Sequence, residues 1–144
     1  MNKAMRISVL LAVFVLLVAG VLAARRASAA QAADANVQVI DMTAKKYEFS
    51  PSPVHVKKGM KVQLKIKALD RAHGLKINIY PDGADTKGAP GLTFATAQDC
   101  WKLEKDQVTT IEFVASQPGS YPFRCCTFCG FGHLGMKGQL IVDP

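Results

Sequence analysis

The sequence predicts an all-β domain, a β-sandwich with Greek-key connections, on three observations. Several short segments after residue 36 alternate apolar and polar residues, which is the pattern of strands with one buried face. Glycine and proline, as in Pro118-Gly119, separate these segments and favour turns. Sustained helical periodicity is scarce in the same part of the chain. The 144 residues suffice for one such domain and not for two.

Seven segments carry the strand pattern. Val62–Lys67 and Leu75–Tyr80 alternate strictly, and Val108–Val114 is rich in β-branched residues, which favour strands. The predicted strands are Val37–Met42, Val54–Lys57, Val62–Lys67, Leu75–Tyr80, Val108–Val114, Tyr121–Cys125 and Gln139–Val142. Short strands at this density are typical of an antiparallel sandwich.

Residues 81–107 interrupt this pattern with a long, irregular connection. A short helix is predicted near Ala95–Trp101, and Trp101, the only tryptophan, is expected to pack in the core. A connection of this length in a small sandwich is often functional.

The N-terminal segment 1–30 differs in composition from the rest. A basic start precedes an apolar run over residues 7–24, and small residues follow, as in a secretory signal peptide. Arg25 and Arg26 after the apolar run are unusual for a signal peptide, so an uncleaved membrane anchor is the alternative. Either interpretation places residues 31 onward outside the cytoplasmic membrane, in the periplasm or its equivalent. Residues 31–36 then form a flexible lead-in to a domain at 37–144.

The positive charge of the chain gives no reason to expect a nucleic-acid partner. Four of the 18 basic residues and none of the 11 acidic residues lie in the first thirty positions, which leaves a net charge of +3. No dense Lys/Arg run with interleaved aromatic residues follows residue 30.

The strongest chemical signal is a loop of soft ligands near the C-terminus, with interleaved glycines. Its members are Cys125, Cys126, Cys129, His133 and Met136. Thiolate, imidazole and thioether together favour copper, whereas Mg²⁺ and Ca²⁺ prefer oxygen ligands. Two alternatives remain: a Cys125–Cys129 disulfide, and a zinc site in which Met136 would have no role.

The loop resembles a known family. Its pattern Cys-x3-Cys-Gly-x2-His-x2-Met, over Cys125–Met136, is similar to the copper loop of the dinuclear CuA cupredoxin domain, found in subunit II of haem-copper oxidases and in nitrous-oxide reductases. Weaker similarities cover most of residues 37–144 except 81–107; they lie at Tyr47–Pro51, Val54–Gly59, Leu69–Gly74, Pro118–Tyr121 and Gly138–Val142.

The resemblance implies a cupredoxin-like fold and a role for each ligand. Cys125 and Cys129 would bridge two coppers, and His73 and His133 would each bind one. Met136 would be a weak ligand to one copper, and the backbone carbonyl of Thr127 a ligand to the other. Asp70 is expected to orient a ligand or to cap a turn.

The chain departs from the family pattern in several places. Thr127 stands where many members have Glu, which leaves the carbonyl role intact. The aromatic electron-entry surface of oxidase subunit II has no Trp/Tyr counterpart here, and one apolar segment replaces the usual two. Cys100 and Cys126 lie outside the pattern; a disulfide between them is the simplest explanation, and an additional thiol beside the site is the alternative.

Four functions are compatible with these residues. The first is a CuA-type electron carrier that has no catalysis of its own and exchanges electrons with a redox partner such as a cytochrome or an oxidase. The second is a periplasmic copper chaperone or storage protein. The third is a metal-free dithiol protein, and the fourth is a cupredoxin with one copper. No Ser/His/Asp set or paired carboxylates indicate a hydrolase.

Overall fold

The computed structural model describes residues 36–144, and the predicted leader and lead-in up to residue 35 lie outside them. The chain from Val37 to Pro144 forms a compact unit of ten strands. They are β1 Val37–Lys45, β2 Glu48–Ser50, β3 Val54–Lys57, β4 Lys61–Ala68, β5 His73–Ile77, β6 Leu92–Phe94, β7 Trp101–Leu103, β8 Val108–Ala115, β9 Gly119–Arg124 and β10 Lys137–Asp143. A one-turn 3₁₀ helix spans His133–Gly135. No helix within residues 36–144 has the length and apolarity to cross a bilayer.

The strands form two five-stranded sheets, so the predicted all-β sandwich is confirmed. The first sheet has the order β2-β1-β4-β8-β6 and the second β3-β10-β9-β5-β7. Alternating side chains of both sheets enter one core, as in the burial pattern of β4. Phe49 of the first sheet meets Phe123 of the second edge-on, with ring centroids 5.4 Å apart.

Two strand pairs are parallel, and the expectation of purely antiparallel pairing was wrong. β1 pairs with β4, and β3 with β10, in parallel register. The chain leaves the first sheet after β2, adds β3 to the second sheet, and returns as β4. A strand that returns after such a crossing can run in the same direction as the strand it joins.

The connection 81–107 contains strands and no helix, so the helix predicted near Ala95–Trp101 was wrong. β6 joins β8, and β7 joins β5. Phe94 and Trp101 are seven residues apart, which suits two turns of helix, but they lie in opposite sheets and their ring centroids are 4.6 Å apart. The predicted packing role of Trp101 is confirmed, since the side chain is buried.

Candidate metal centre

Three adjacent strands of the second sheet place the candidate ligands at one end of the sandwich. β9 ends at Arg124, immediately before the loop, and β10 begins at Lys137, immediately after it. β5 runs antiparallel to β9 on its other side and begins at His73. The register therefore brings the upstream histidine next to both ends of the loop. The loop closes on itself where the backbone N–H of Cys125 donates to the carbonyl of Met136 at 2.9 Å.

The two thiols at the centre of the site are buried and free. Cys125 and Cys129 form no disulfide, and their Sγ atoms lie 3.6 Å apart. One ring nitrogen of His73 joins them, and the three ligand atoms lie within 4.8 Å of one another. This is the one group of three or more His, Cys, Asp or Glu ligands within residues 36–144 with metal-binding spacing.

The remaining predicted ligands surround these thiols. The carbonyl oxygen of Thr127 lies 3.1 Å from the Sγ of Cys125. The Nδ1 of His133 and the Sδ of Met136 lie 3.9 and 3.8 Å from the Sγ of Cys129. The structure thus brings all six predicted residues together. Their role as ligands remains a prediction.

His73 carries a further sign of a metal site. Its Nε2 lies 2.7 Å from Oδ1 of Asp70, while its Nδ1 is fully buried and has no hydrogen-bond partner among the residues that the structure describes. A carboxylate can only accept, so it holds the proton on Nε2 and leaves the lone pair of Nδ1 free. Buried polar atoms normally have partners, and a metal ion is the partner that the two neighbouring thiols would share.

The carboxylate of Asp70 is itself held by three donors. Partial burial alone would raise its pKa, but the hydrogen bond with His73 and those from the backbone N–H groups of Lys46 and Arg71 outweigh it. The pKa of Asp70 therefore lies below its ordinary value. The predicted orienting role of Asp70 agrees with this geometry.

The Cys129 thiol is a poor acid in this environment. Burial, and after it the neighbouring Cys125, raise the pKa of Cys129 to about 11. The thiol is therefore protonated at neutral pH in the metal-free protein. Since thiolates bind metals, loading must release protons from this pair.

The Cys100–Cys126 disulfide predicted from the sequence is present, with Cα atoms 5.9 Å apart. It ties the residue before β7 to the residue after Cys125. Gly74 lies beneath it: a Cβ there would come within 2.8 Å of the Sγ of Cys126 and 2.5 Å of the Oγ1 of Thr127. The loop is thus in direct contact with β5, the strand that carries His73.

Two other residues contact the backbone of the loop, and neither contact was predicted from the sequence. The Nη1 of Arg71 donates to the carbonyl of Cys129 at 3.0 Å. The ring of Tyr47, from the turn between β1 and β2, lies so close to Gly132 that a Cβ at position 132 would clash with it.

The outer surface of the loop is apolar. Phe128, Phe131 and Leu134 are 75%, 101% and 87% exposed, and we call these three residues the apolar tip. His133 lies among them, half-buried, with its ring centroid 6.1 Å from that of Phe128. This Phe/Leu cluster was not predicted, because the expected electron-entry surface was a Trp/Tyr cluster. Large apolar residues in a glycine-rich loop were the available signal.

Two curated proteins have a sequence similar to this chain. Cytochrome c oxidase subunit 2 from Thermus thermophilus is 25% identical over 96 residues, which cover 67% of this chain and 58% of the relative. A second such subunit, from a named strain of the same species, is matched over 47% of its length. The chain therefore spans about half the length of the curated relatives it matches.

Solved structures show the same fold at low identity. Auracyanin from Roseiflexus castenholzii has a TM-score of 0.53 at 21% identity, covering 74% of this chain and 97% of that one. The periplasmic domain of cytochrome oxidase subunit II from Bradyrhizobium japonicum has 0.53 at 14%, covering 73% and 83%. A chain of a heme-copper terminal oxidase dimer has 0.54 at 18%, covering 98% and 100%. The family of the Cupredoxin-like domain matches residues 12–142, and the chain belongs to that family.

Proposed function

We propose that the protein is an electron carrier whose loop and His73 hold two copper ions in a CuA-type centre, outside the cytoplasmic membrane. The observation that carries the proposal is the convergence of two free, buried thiols with the unpartnered Nδ1 of His73. Soft sulfur and imidazole donors fit copper, and the thioether of Met136 has a use with copper that zinc would not give it.

Such a pair of copper ions, when bound, supplies one-electron chemistry, and the protein supplies the ligands and a rigid surrounding. The sandwich fixes both ends of the loop, while the disulfide, Arg71 and Tyr47 fix its middle. Four sulfur and imidazole donors, from His73, Cys125, Cys129 and Met136, are buried, so water is kept from them. A site that moves little between two redox states favours rapid electron transfer.

His133 would connect the centre with the surface. Its side chain is half-buried, whereas those of His73, Cys125, Cys129 and Met136 are buried, and it lies within the apolar tip. Exposed apolar clusters on a small protein commonly mark a docking surface. A redox protein, such as a cytochrome or the rest of an oxidase, would dock there. The similarity to oxidase subunit II supports a link to a respiratory oxidase.

Two observations support an extracytoplasmic location. The Cys100–Cys126 disulfide is typical of an oxidising compartment. One of the structural neighbours is a periplasmic domain. The apolar run at 7–24 would then direct export or tether the protein to the membrane.

The test is to load the full chain, purified in detergent, with copper. Copper content per protein, visible absorption and electron paramagnetic resonance are then measured. We expect two coppers, a purple colour and hyperfine coupling to both nuclei. One copper with a blue band would instead indicate a mononuclear cupredoxin. Tightly held, colourless Cu(I) that does not cycle would indicate a copper chaperone or storage protein.

The histidines offer a matched pair of variants. His73→Ala removes the Nδ1 donor and should abolish the two-copper signal. His55→Ala removes an exposed histidine that pairs with Asp143, and should leave the signal unchanged. Equal loss of signal in both variants would contradict the assigned role of His73.

A further inference from the structure

A row of three cations crosses the second sheet directly beside the loop. Lys76, Arg124 and Lys137 are register partners on β5, β9 and β10. Cross-strand partners lie about 5 Å apart and on the same face of a sheet. The residues on either side of Arg124, Phe123 and Cys125, are buried, so this face points away from the core.

The row is only partly neutralised within residues 36–144. Lys76 pairs with Asp99, whereas Arg124 and Lys137 have no carboxylate of residues 36–144 within 4.0 Å. Like charges directly opposite each other destabilise a sheet, so this arrangement is unfavourable in the isolated protein. An anionic partner would remove that cost.

The same face has a shallow depression beside Arg124 and Lys137. This cavity of about 460 Å³ has a mostly apolar lining, to which Pro122 and Phe123 belong. The polar side chains around it are those of Asn78, Arg124, Lys137 and Gln139. The amide and cationic side chains can donate hydrogen bonds to carboxylates. Two acidic groups near this face are already paired: Asp99 with Lys76, and Asp143, at the far end of β10, with His55. The face therefore presents positive charge at the loop end.

We propose that this row, which we call the cationic row, together with the apolar tip, docks a redox protein whose contact surface is acidic. The inference rests on the proposed electron-carrier function and specifies the partner's chemistry. Arg124 precedes Cys125 and Lys137 follows Met136, so a partner held by the row lies next to the metal loop. Complementary charge steers such encounters and raises their rate.

A membrane surface is a less suitable occupant. Recognition of anionic lipid typically uses clusters of about four to eight Lys/Arg residues, whereas the row has three members and Lys76 already has a partner. Insertion of the apolar tip into lipid would also cover the surface around His133 that the proposed electron route uses.

The test measures binding to the full chain without copper, in detergent at low ionic strength. The probes are basic cytochrome c and the same cytochrome with its lysines succinylated, which makes it acidic. We expect the succinylated form to bind at least about tenfold more tightly, and salt to reduce the difference. Since no copper is present, the binding result could still be interpreted if the proposed two-copper centre proved wrong.

Two charge-reversal variants with the same change in net charge separate the row from the overall charge. R124E/K137E should weaken binding of the succinylated probe at least about tenfold. K57E/K58E changes cations at the far end of the sheet, about 20 Å along β10, and should weaken it less than twofold. The neutral variant R124Q/K137Q should give an intermediate loss, and circular dichroism would verify that each variant is folded.

Three results would overturn the proposal. The first is equal binding of the two cytochrome forms, and the second is equal loss in both charge-reversal variants. The third comes from hydrogen exchange: protection around Arg124 and Lys137 by phosphatidylserine added to the detergent, without protection by the succinylated cytochrome. That pattern would identify a membrane contact instead.

Discussion

Removal of the Cys100–Cys126 disulfide should destabilise the domain by an amount set by the length of chain it closes. The two cysteines are 26 positions apart. Loop-closure entropy for a ring of this size corresponds to about 3.5 kcal/mol at 25 °C in the chain-entropy description. Both residues are half-buried, so loss of packing should add little to this value in a C100A/C126A variant.

The assay is equilibrium unfolding of the copper-free full chain in urea, followed by circular dichroism and by the fluorescence of Trp101. That tryptophan is buried next to Cys100, so it reports on the same region. Without the cross-link the denatured chain is less constrained and exposes more surface. We therefore expect the dependence of the unfolding free energy on urea to become steeper.

A C125A/C129A variant is the matched control, because it removes two thiols that form no cross-link. It should lose packing contacts without a change in the urea dependence. A loss below about 1 kcal/mol in C100A/C126A, with the urea dependence unchanged, would refute the reasoning that the disulfide acts on the denatured state.

Two further predictions concern titratable groups. Cys125 and Cys129 in the folded, copper-free protein should react with iodoacetamide at pH 8 far more slowly than in the protein unfolded by urea. Both thiols are buried in the folded protein, and the pKa of Cys129 is raised to about 11. Equal reaction rates in the two states would contradict this prediction. The pKa of Glu112 lies below its ordinary value of 4.5 because Lys61 and Gln63 donate hydrogen bonds to it. The stability that Glu112 contributes should thus be present above about pH 4.5 and be lost as the pH falls through its lower folded-state pKa. In Glu112→Gln, the free energy of unfolding measured in urea should therefore depend less on pH in the acidic range.

Strands with strict alternation were predictable because burial of one face leaves a period-two record in the sequence. β3 was predicted with its observed bounds, and β4 and β8 within two residues at each end. β2, β6 and β7 have three residues each, too few to show a period. Their existence depends on partners elsewhere in the chain, as with Trp101 opposite Leu75.

The candidate ligands were found for a similar reason, because chemistry restricts their residue types and the loop keeps them close in sequence. His73 required the resemblance, since its spacing from the loop carries no signal of its own. The contacts of Tyr47 and Arg71 with the loop were not predicted because they join residues more than fifty positions apart in the sequence. Neither residue type suggests a loop support on its own.

The support from Tyr47 and Arg71 has a consequence for protein engineering. The loop Cys125–Met136 looks self-contained, yet its backbone rests on an aromatic ring and a guanidinium contributed more than fifty positions earlier. A graft of these twelve residues onto another β-hairpin would carry the ligands without the surfaces that shape them. Transplantation should therefore succeed only when the recipient also receives the β1–β2 turn and the segment from Asp70 to Gly74.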